Sequence, residues 1–451
     1  MNEGTRKVFR IILTLILTGL MMPVQAQNVS IPDPGLNAAI RAALQKLAGS
    51  LTEQDLLSLV SLTASERGIR GTDGLEGALN LNLLDLDSNS LTNFSLPDGL
   101  TKLQLLDVSF NSLRQCSIPR GLTNLDTISL EGNLLTDFML PAGLVGLSEL
   151  DLWANGLSSL TVPADMTNLV VLTLFANQLT NVSLSPNLSR LGDLDLEGNR
   201  LSGLEFPAGL TNLGTLILRG NQLTNLSFPE DMTNLRFVDM GENQLANLTM
   251  PAPLPHLTFL RLSTNRLTSL ELPFGMTSLE AIFLNGNQLT NLTLASGMTN
   301  LVQLDLRGNR LTSLTLSPDL FRLSTLVLEG NPLRTLILSE TQAATKFAGL
   351  VATLRAQGVS IITYPVSIQL ISPQETGVGA FAFTLTGPPG VYIISQSSDL
   401  ETWNKIGPIT NIVGSIIFTD SAPLSSQKFY RAAPNVDAVV VHGPPFSSQK
   451  F

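Results

Sequence analysis

Histidine, cysteine and paired carboxylates are the side chains on which metal-assisted, nucleophilic and glycosidic chemistry draws. This chain has two histidines and one cysteine among its 451 residues. His256 stands beside Pro255, and His442 lies near the C-terminal end. Their separation from Cys116 argues against a shared zinc site. Neither histidine sits in a nucleophile-elbow context, so a Ser-His-Asp triad is not indicated. Ser425-Ser-Gln-Lys428 has the S-x-x-K spacing, but the partner motifs of that chemistry are missing from the sequence. Asp193 and Asp195 could serve as an acid–base pair. Polar residues alternating along a strand would place two carboxylates in the same way with no chemistry attached. No glycine-rich phosphate loop occurs. The expectation is a non-enzyme without cofactor or bound metal.

The acids belong to a strictly periodic pattern. Asn89, Asn111, Asn133, Asn155, Asn177, Asn199, Asn221, Asn243, Asn265, Asn287, Asn309 and Asn331 follow one another every 22 residues, with no insertion or deletion. A fixed period of this length marks a repeat array. Leu191-Gly-Asp-Leu194-Asp-Leu196-Glu-Gly-Asn199-Arg-Leu201 is one copy of the frame, and Leu301-Val-Gln-Leu304-Asp-Leu306-Arg-Gly-Asn309-Arg-Leu311 another. Leu194 and Leu196 alternate with acids, which predicts a half-buried strand. Copies stacked in parallel would make one sheet with one buried face. The Asn falls where the chain turns inward. Its amide offers two donors and an acceptor, enough to satisfy backbone groups that the turn leaves unpaired. A single copy cannot bury enough apolar surface to stand alone, so stability must come from neighbours.

The L-x-x-L-x-L-x-x-N-x-L frame resembles the leucine-rich repeat, over roughly residues 59–338 when degenerate flanks are included. The return half of a copy, such as Leu226-Ser-Phe228-Pro229, alternates and then meets proline, while Pro207-Ala-Gly209 adds glycine. Both argue against a helix there. The subclass therefore looks like the compact bacterial repeats with extended segments on both sides. Cys116 lies five residues after Asn111, where other copies carry Phe94, Phe138, Leu160 or Leu226. It is expected to be a small buried hydrophobe rather than a reactive thiol, and a lone cysteine forms no intramolecular disulfide.

Flanking segments read differently. Arg6, Lys7 and Arg10 precede an apolar run from Ile11 to Met22, and Val24-Gln-Ala26 suits cleavage, so residues 1–26 read as a secretory signal peptide. The mature protein is then expected to be secreted, periplasmic or at the cell surface, with no later membrane span. Residues 27–80 read as an N-terminal cap and degenerate repeat, with Asp33-Pro34 and Thr52-Glu-Gln-Asp55 opening two helices. In that early copy Leu59, Leu62, Ala64 and Ile69 keep the frame, but Arg67 replaces Asn. The solenoid proper covers 81–338. Residues 339–364 should form a capping helix, Glu340 to Gln357, and a strand. Residues 365–435 alternate in short runs punctuated by Gly and Pro: Val366–Ile371, Ala380–Thr386, Val391–Gln396, Gly414–Thr419 and Lys428–Arg431. They predict a small β-sandwich, and Ser397-Ser-Asp-Leu-Glu-Thr-Trp403 followed by Phe418-Thr-Asp420 and Phe429-Tyr-Arg431 is similar to C-terminal modules of secreted proteins from environmental bacteria. Pro423-Leu-Ser-Ser-Gln-Lys-Phe429 returns as Pro445-Phe-Ser-Ser-Gln-Lys-Phe451 in a tail, 436–451, that reads as flexible.

Function should lie on the exposed strand face, at positions six, four and two residues before each Asn. The first six copies place Asp85, Asp87, Asp107, Glu131, Glu149, Asp151, Asp193, Asp195 and Glu197 there, and no base. The later copies add Arg219, Arg261 and Arg307. Trp153 and Phe175 should be neighbours on adjacent strands, and Phe237, Phe259 and Phe283 a second cluster. Exposed aromatics on a rigid sheet are natural anchors for a partner. The residues expected to meet a ligand are thus Trp153, Phe175, Asp151, Asp193, Asp195, Glu197, Arg219, Phe237, Phe259, Arg261 and Phe283. The resemblance implies a protein or peptide ligand, and the acidic strip suits a basic one. A structural or adhesive envelope component, or a glycan binder, is the alternative. A formal net charge of −10, more negative still once the basic leader is removed, argues against nucleic acid.

Overall fold

The structure is a computed structural model that describes residues 27–250, 253–272, 275–294, 297–376, 380–421 and 428–435. The signal segment 1–26, Ser425 of the S-x-x-K match, His442 and the tail 436–451 lie outside the described residues. The chain divides into two compact units, Met1–Leu147 and Ser148–Phe451.

The first unit opens with the helix Pro34–Ala43. Asp33 accepts the Leu36 N–H at 2.9 Å, and Pro34 supplies a first-turn residue that needs no partner for its nitrogen. The other Asp33 oxygen accepts the Arg70 N–H at 2.8 Å, so one carboxylate both caps the helix and ties it to the first degenerate repeat. Gly35 is required by the same approach, because a Cβ there would lie 2.6 Å from the Arg67 carbonyl. The helix Glu53–Leu57 starts with the expected capping box between Thr52 and Asp55. Strands Ser61–Thr63, Leu83–Asp85, Leu105–Asp107 and Thr127–Ser129 follow in parallel, each residue paired with the one 22 positions on. Asn93–Ser95 and Gln115–Ser117 pair on the return side. Where Arg67 replaces Asn, Asn89 of the next copy still bonds back to the degenerate repeat. Its Oδ1 accepts from both Arg67 N and Ile69 N, and its Nδ2 donates to the Ala64 carbonyl.

The second unit repeats this arrangement in nine parallel strands, from Glu149–Asp151 to Thr325–Val327, all in the same 22-residue register. Leucines at the inward positions, such as Leu194, Leu196 and Leu201, are fully buried. Among the described residues the repeats carry no helix on the return side, as Pro and Gly dictate. Ser159–Thr161 pairs with Asn181–Ser183, and Ser313–Thr315, Thr335–Ser339 and Ser360–Tyr364 form a parallel trio. Asn199 shows how the copies interlock. Its Nδ2 donates to the carbonyls of Leu174, Leu196 and Glu197 at 3.0, 3.0 and 3.2 Å, and its Oδ1 accepts the Leu179 N–H at 3.0 Å.

The segment expected to be one capping helix is two, Glu340–Ala344 and Ala348–Ala356. The chain leaves helical geometry at Thr345, and Phe347 at the break is buried. Burial of that ring outweighs helix continuity. Beyond Tyr364, whose hydroxyl donates to the Leu316 carbonyl, two antiparallel three-stranded sheets share one core around Leu370, Phe383, Leu385, Tyr392, Ile394 and Tyr430. One strand, Asn404–Asn411, was not evident from the sequence. It is an edge strand containing Gly407 and Pro408, residues that weaken the strand signal. Gly414, at φ +93°, lies so close to Tyr364 that a Cβ would be 2.6 Å from the tyrosine Cβ.

Candidate binding face

Every strand of the second unit turns through the same four positions before its Asn, and two backbone devices set where the outward side chains point. The residue immediately before each Asn is left-handed. Gly198, Gly220, Gly286, Gly308 and Gly330 fill that position at φ between +63° and +74°, but Ala154, Ala176, Glu242 and Thr264 hold it without glycine. Left-handed geometry is strained for such residues, most of all for β-branched threonine. The second device is the aspartate four residues before the Asn. Asp151, Asp195, Asp239 and Asp305 each accept the N–H two residues on, at 3.2, 2.9, 2.9 and 3.1 Å. Asp85 and Asp107 do the same in the first unit. Part of the acidic strip is therefore a structural turn-former, which alternation alone does not reveal.

Trp153 and Phe175 meet as expected, with ring centroids 6.2 Å apart and planes inclined by 28°. Phe175 is 37% exposed. Asp151, Asp193, Asp195 and Glu197 stand beside them on the same or following strands, with Asp193 exposed. Burial, and then repulsion from Asp151 and Asp239, raises the Asp195 carboxyl above its ordinary value, although the Glu197 N–H opposes this. Glu197 is raised mainly by burial, with Arg219 acting against it.

The second aromatic group is a continuous stack. Phe237 and Phe259 lie 4.5 Å apart and nearly parallel, and Phe259 and Phe283 lie 5.3 Å apart. The Arg261 guanidinium sits 5.4 and 5.3 Å from the last two ring centroids. These rings are half-buried, and they spend their faces on one another and on Arg261, so they orient the arginine rather than present a bare platform. Arg261 also reaches Asp239 at 3.2 Å, Arg219 holds Glu242 at 2.6 Å and Glu197 at 3.4 Å, and Arg307 grips Asp305 at 2.6 Å. Arg219, Arg261 and Arg307 line one groove of about 330 Å³ together with Glu242, Thr264 and Phe283. The sequence reading did not place Glu242, Thr264 or Arg307 in a site. The departures from glycine before the Asn were the available signal for Glu242 and Thr264, and Arg307 stands among the basic strand-face positions.

Cys116 pairs with Phe94 on the return side and is half-buried, less buried than the sequence predicts. Burial pushes its pKa up to about 12, which suits an inert packing residue. His256 is exposed on the return side.

The parallel strands, the extended returns and the interlocking asparagines define a bacterial leucine-rich repeat solenoid. The model of the BspA type leucine rich repeat region matches residues 86–178, 156–259 and 242–346. Together these cover more than half of the sequence, and the chain belongs to that family. Among solved structures, the functional domain of InlJ from Listeria monocytogenes is 19% identical over 94% of this chain and 99% of its own, with a TM-score of 0.52. That domain includes a cysteine ladder, whereas the repeating polar residue here is asparagine. An internalin of the same organism, InlF, is 24% identical over 68% of this chain and 98% of its own, at a TM-score of 0.47. YopM of Yersinia pestis is 26% identical over 57% and 69%, also at 0.47. No curated protein sequence matches the chain. Among the described residues, no helix is long and apolar enough to cross a membrane.

Proposed function

We propose that this is an exported, non-enzymatic recognition protein that binds a protein or peptide segment on the strand face of its second unit. The observation that carries the reading is the Trp153–Phe175 pair, an aromatic anchor set on rigid strands beside Asp151, Asp193 and Asp195. Aromatics held at low conformational cost are the commonest dominant contacts in protein interfaces. The neighbouring carboxylates select a basic, partly apolar segment, and the basic-then-apolar leader supports export.

The test is binding of a lysine- and leucine-containing peptide to the mature chain and to the Trp153→Ala/Phe175→Ala double variant. Affinity should fall about tenfold or more in the variant. Association with the unaltered chain should slow as salt rises, since exposed charges are screened beyond about 8–10 Å. Equal binding by both proteins at every salt concentration would place the site elsewhere, and the module around Trp403 would be examined next.

A further inference from the structure

All three basic residues on the strand face of the second unit, Arg219, Arg261 and Arg307, converge on the groove described above. We infer that this groove is an anion subsite that takes one carboxylate of the bound segment, and so fixes the direction in which that segment lies. The inference rests on the peptide-binding reading of the same face.

Three features support a built subsite. Arg261 is fixed before any ligand arrives, with Phe259 and Phe283 against its guanidinium and Asp239 holding one terminal nitrogen at 3.2 Å. Asp239 is itself 4% exposed and lies behind the arginine. Among the described residues, that is the only hydrogen bond the Arg261 side chain makes, which leaves the rest of its five-donor fork for an incoming group. Next, the groove lining gathers three guanidinium groups beside two carboxylates, Glu242 and Asp305, while Asp239 and Glu197 reach the arginines from outside that lining, so cationic edges face one groove on an otherwise acidic face. Finally, the backbone is strained at this place. Glu242 and Thr264 are left-handed at φ +54° and +56°, where five other copies of the second unit use glycine. Strain of this kind persists where the surroundings need the side chain, and it clusters at ligand sites. The only other non-glycine copies in the second unit, Ala154 and Ala176, directly follow Trp153 and Phe175.

The two strained pairs mark the two ends of one track. From the strand Glu149–Asp151 to the strand Phe259–Arg261 there are five strand steps, or about 24 Å at ~4.8 Å per step. An extended segment of about seven residues spans that distance. The partner is therefore an extended peptide with basic and apolar side chains over Trp153–Phe175 and an anionic group seven or so residues away in the arginine groove.

The experiment uses three acetylated nonapeptides. The first has lysine and leucine at its start, glutamate at its end, serine and threonine between, and an amidated terminus. The second replaces glutamate by glutamine. The third keeps that glutamine and frees the terminal carboxylate. Calorimetric binding to the mature protein should favour the first or third over the second by about tenfold, the scale of a charge-assisted bidentate contact, and which of the two wins identifies the source of the carboxylate. Arg261→Gln should erase that preference, Arg261→Lys should restore it only in part, and Arg219→Gln, which releases Glu242 and Glu197, should reduce it. Thermal unfolding of each variant checks the fold. Equal binding of all three peptides overturns the subsite, and the peptide-binding reading still stands if Trp153→Ala/Phe175→Ala weakens them all. Preference lost in Arg261→Gln but untouched by the aromatic variant keeps the groove and removes the aromatic anchor. No binding of any peptide overturns both. Arg261-dependent binding of an oligogalacturonate instead would assign the groove to an acidic glycan and overturn the peptide.

Discussion

Two sets of positions lie within six residues of each other in every repeat and behave in opposite ways. The Asn positions are uniform, and most are buried and bonded to the copy before; the strand-face positions vary from copy to copy and mostly stay accessible. Asn199 and Asn221 make the same four hydrogen bonds within a few tenths of an ångström. Asp193, Thr215 and Phe237 occupy one outward column and share no chemistry. The uniform position does a job that each copy imposes on the next, while the variable ones are released from that job. Between them lies a mixed class, the aspartates that point outward yet accept a backbone N–H. Charge on this face is thus partly a consequence of how the strand ends.

The largest effect should come from breaking the uniform set. Asn199→Ala removes the acceptor of the Leu179 N–H and the donor to three carbonyls, and three of these four bonds are buried. At about 1–3 kcal/mol per orphaned buried group, with partial relaxation, a loss of about 3 kcal/mol is expected in denaturant unfolding. A loss below 0.5 kcal/mol would mean that the asparagines do not lock the copies together.

That set was fully legible in the sequence, because a 22-residue period repeated twelve times is a physical constraint written over and over. The cap helices were legible too, through Asp33-Pro34 and Thr52–Asp55. The face was legible by position only. Periodicity says that Asp195 points out but not that it also grips the Glu197 N–H, and it pairs Trp153 with Phe175 without telling that the Phe237–Phe259–Phe283 stack is consumed in holding Arg261. The groove was missed because its residues come from different columns and are joined only when successive copies lie side by side.

A second test acts on the variable set. Trp153→Ala/Phe175→Ala should cost about 2 kcal/mol in peptide binding yet move the unfolding midpoint far less than Asn199→Ala, since neither ring is in the core. A destabilisation as large as that of Asn199→Ala would show that the pair is structural and erase the contrast.

A third prediction concerns strain. Thr264→Gly should stabilise the fold by about 1 kcal/mol, because the left-handed backbone at φ +56° costs a β-branched residue roughly that much. Binding of an acid-bearing peptide in the arginine groove should weaken at the same time. A variant that is less stable would mean that Thr264 contributes more through contacts than it loses through strain.

The smallest effect tests the mixed class, and its sign depends on pH. The folded Asp195 carboxyl lies above its ordinary value of 3.8, through burial first and then the charges of Asp151 and Asp239. Between the ordinary and the raised value the folded chain binds more protons than the unfolded one. Stability therefore falls as pH rises through that window, and the full penalty is present at neutral pH. Asp195→Asn removes the charge but keeps a side-chain carbonyl that can accept the Glu197 N–H, now made at 2.9 Å. The variant should be more stable than the natural protein at pH 7 by about 0.5 kcal/mol, and the two should converge as pH falls below about 4. Asp195→Ala removes charge and acceptor together and should show no such gain. If Asn is destabilising at pH 7 while Ala is not, the carboxylate is held by attraction rather than repulsion, and the acidic strip is less negative than its residues suggest.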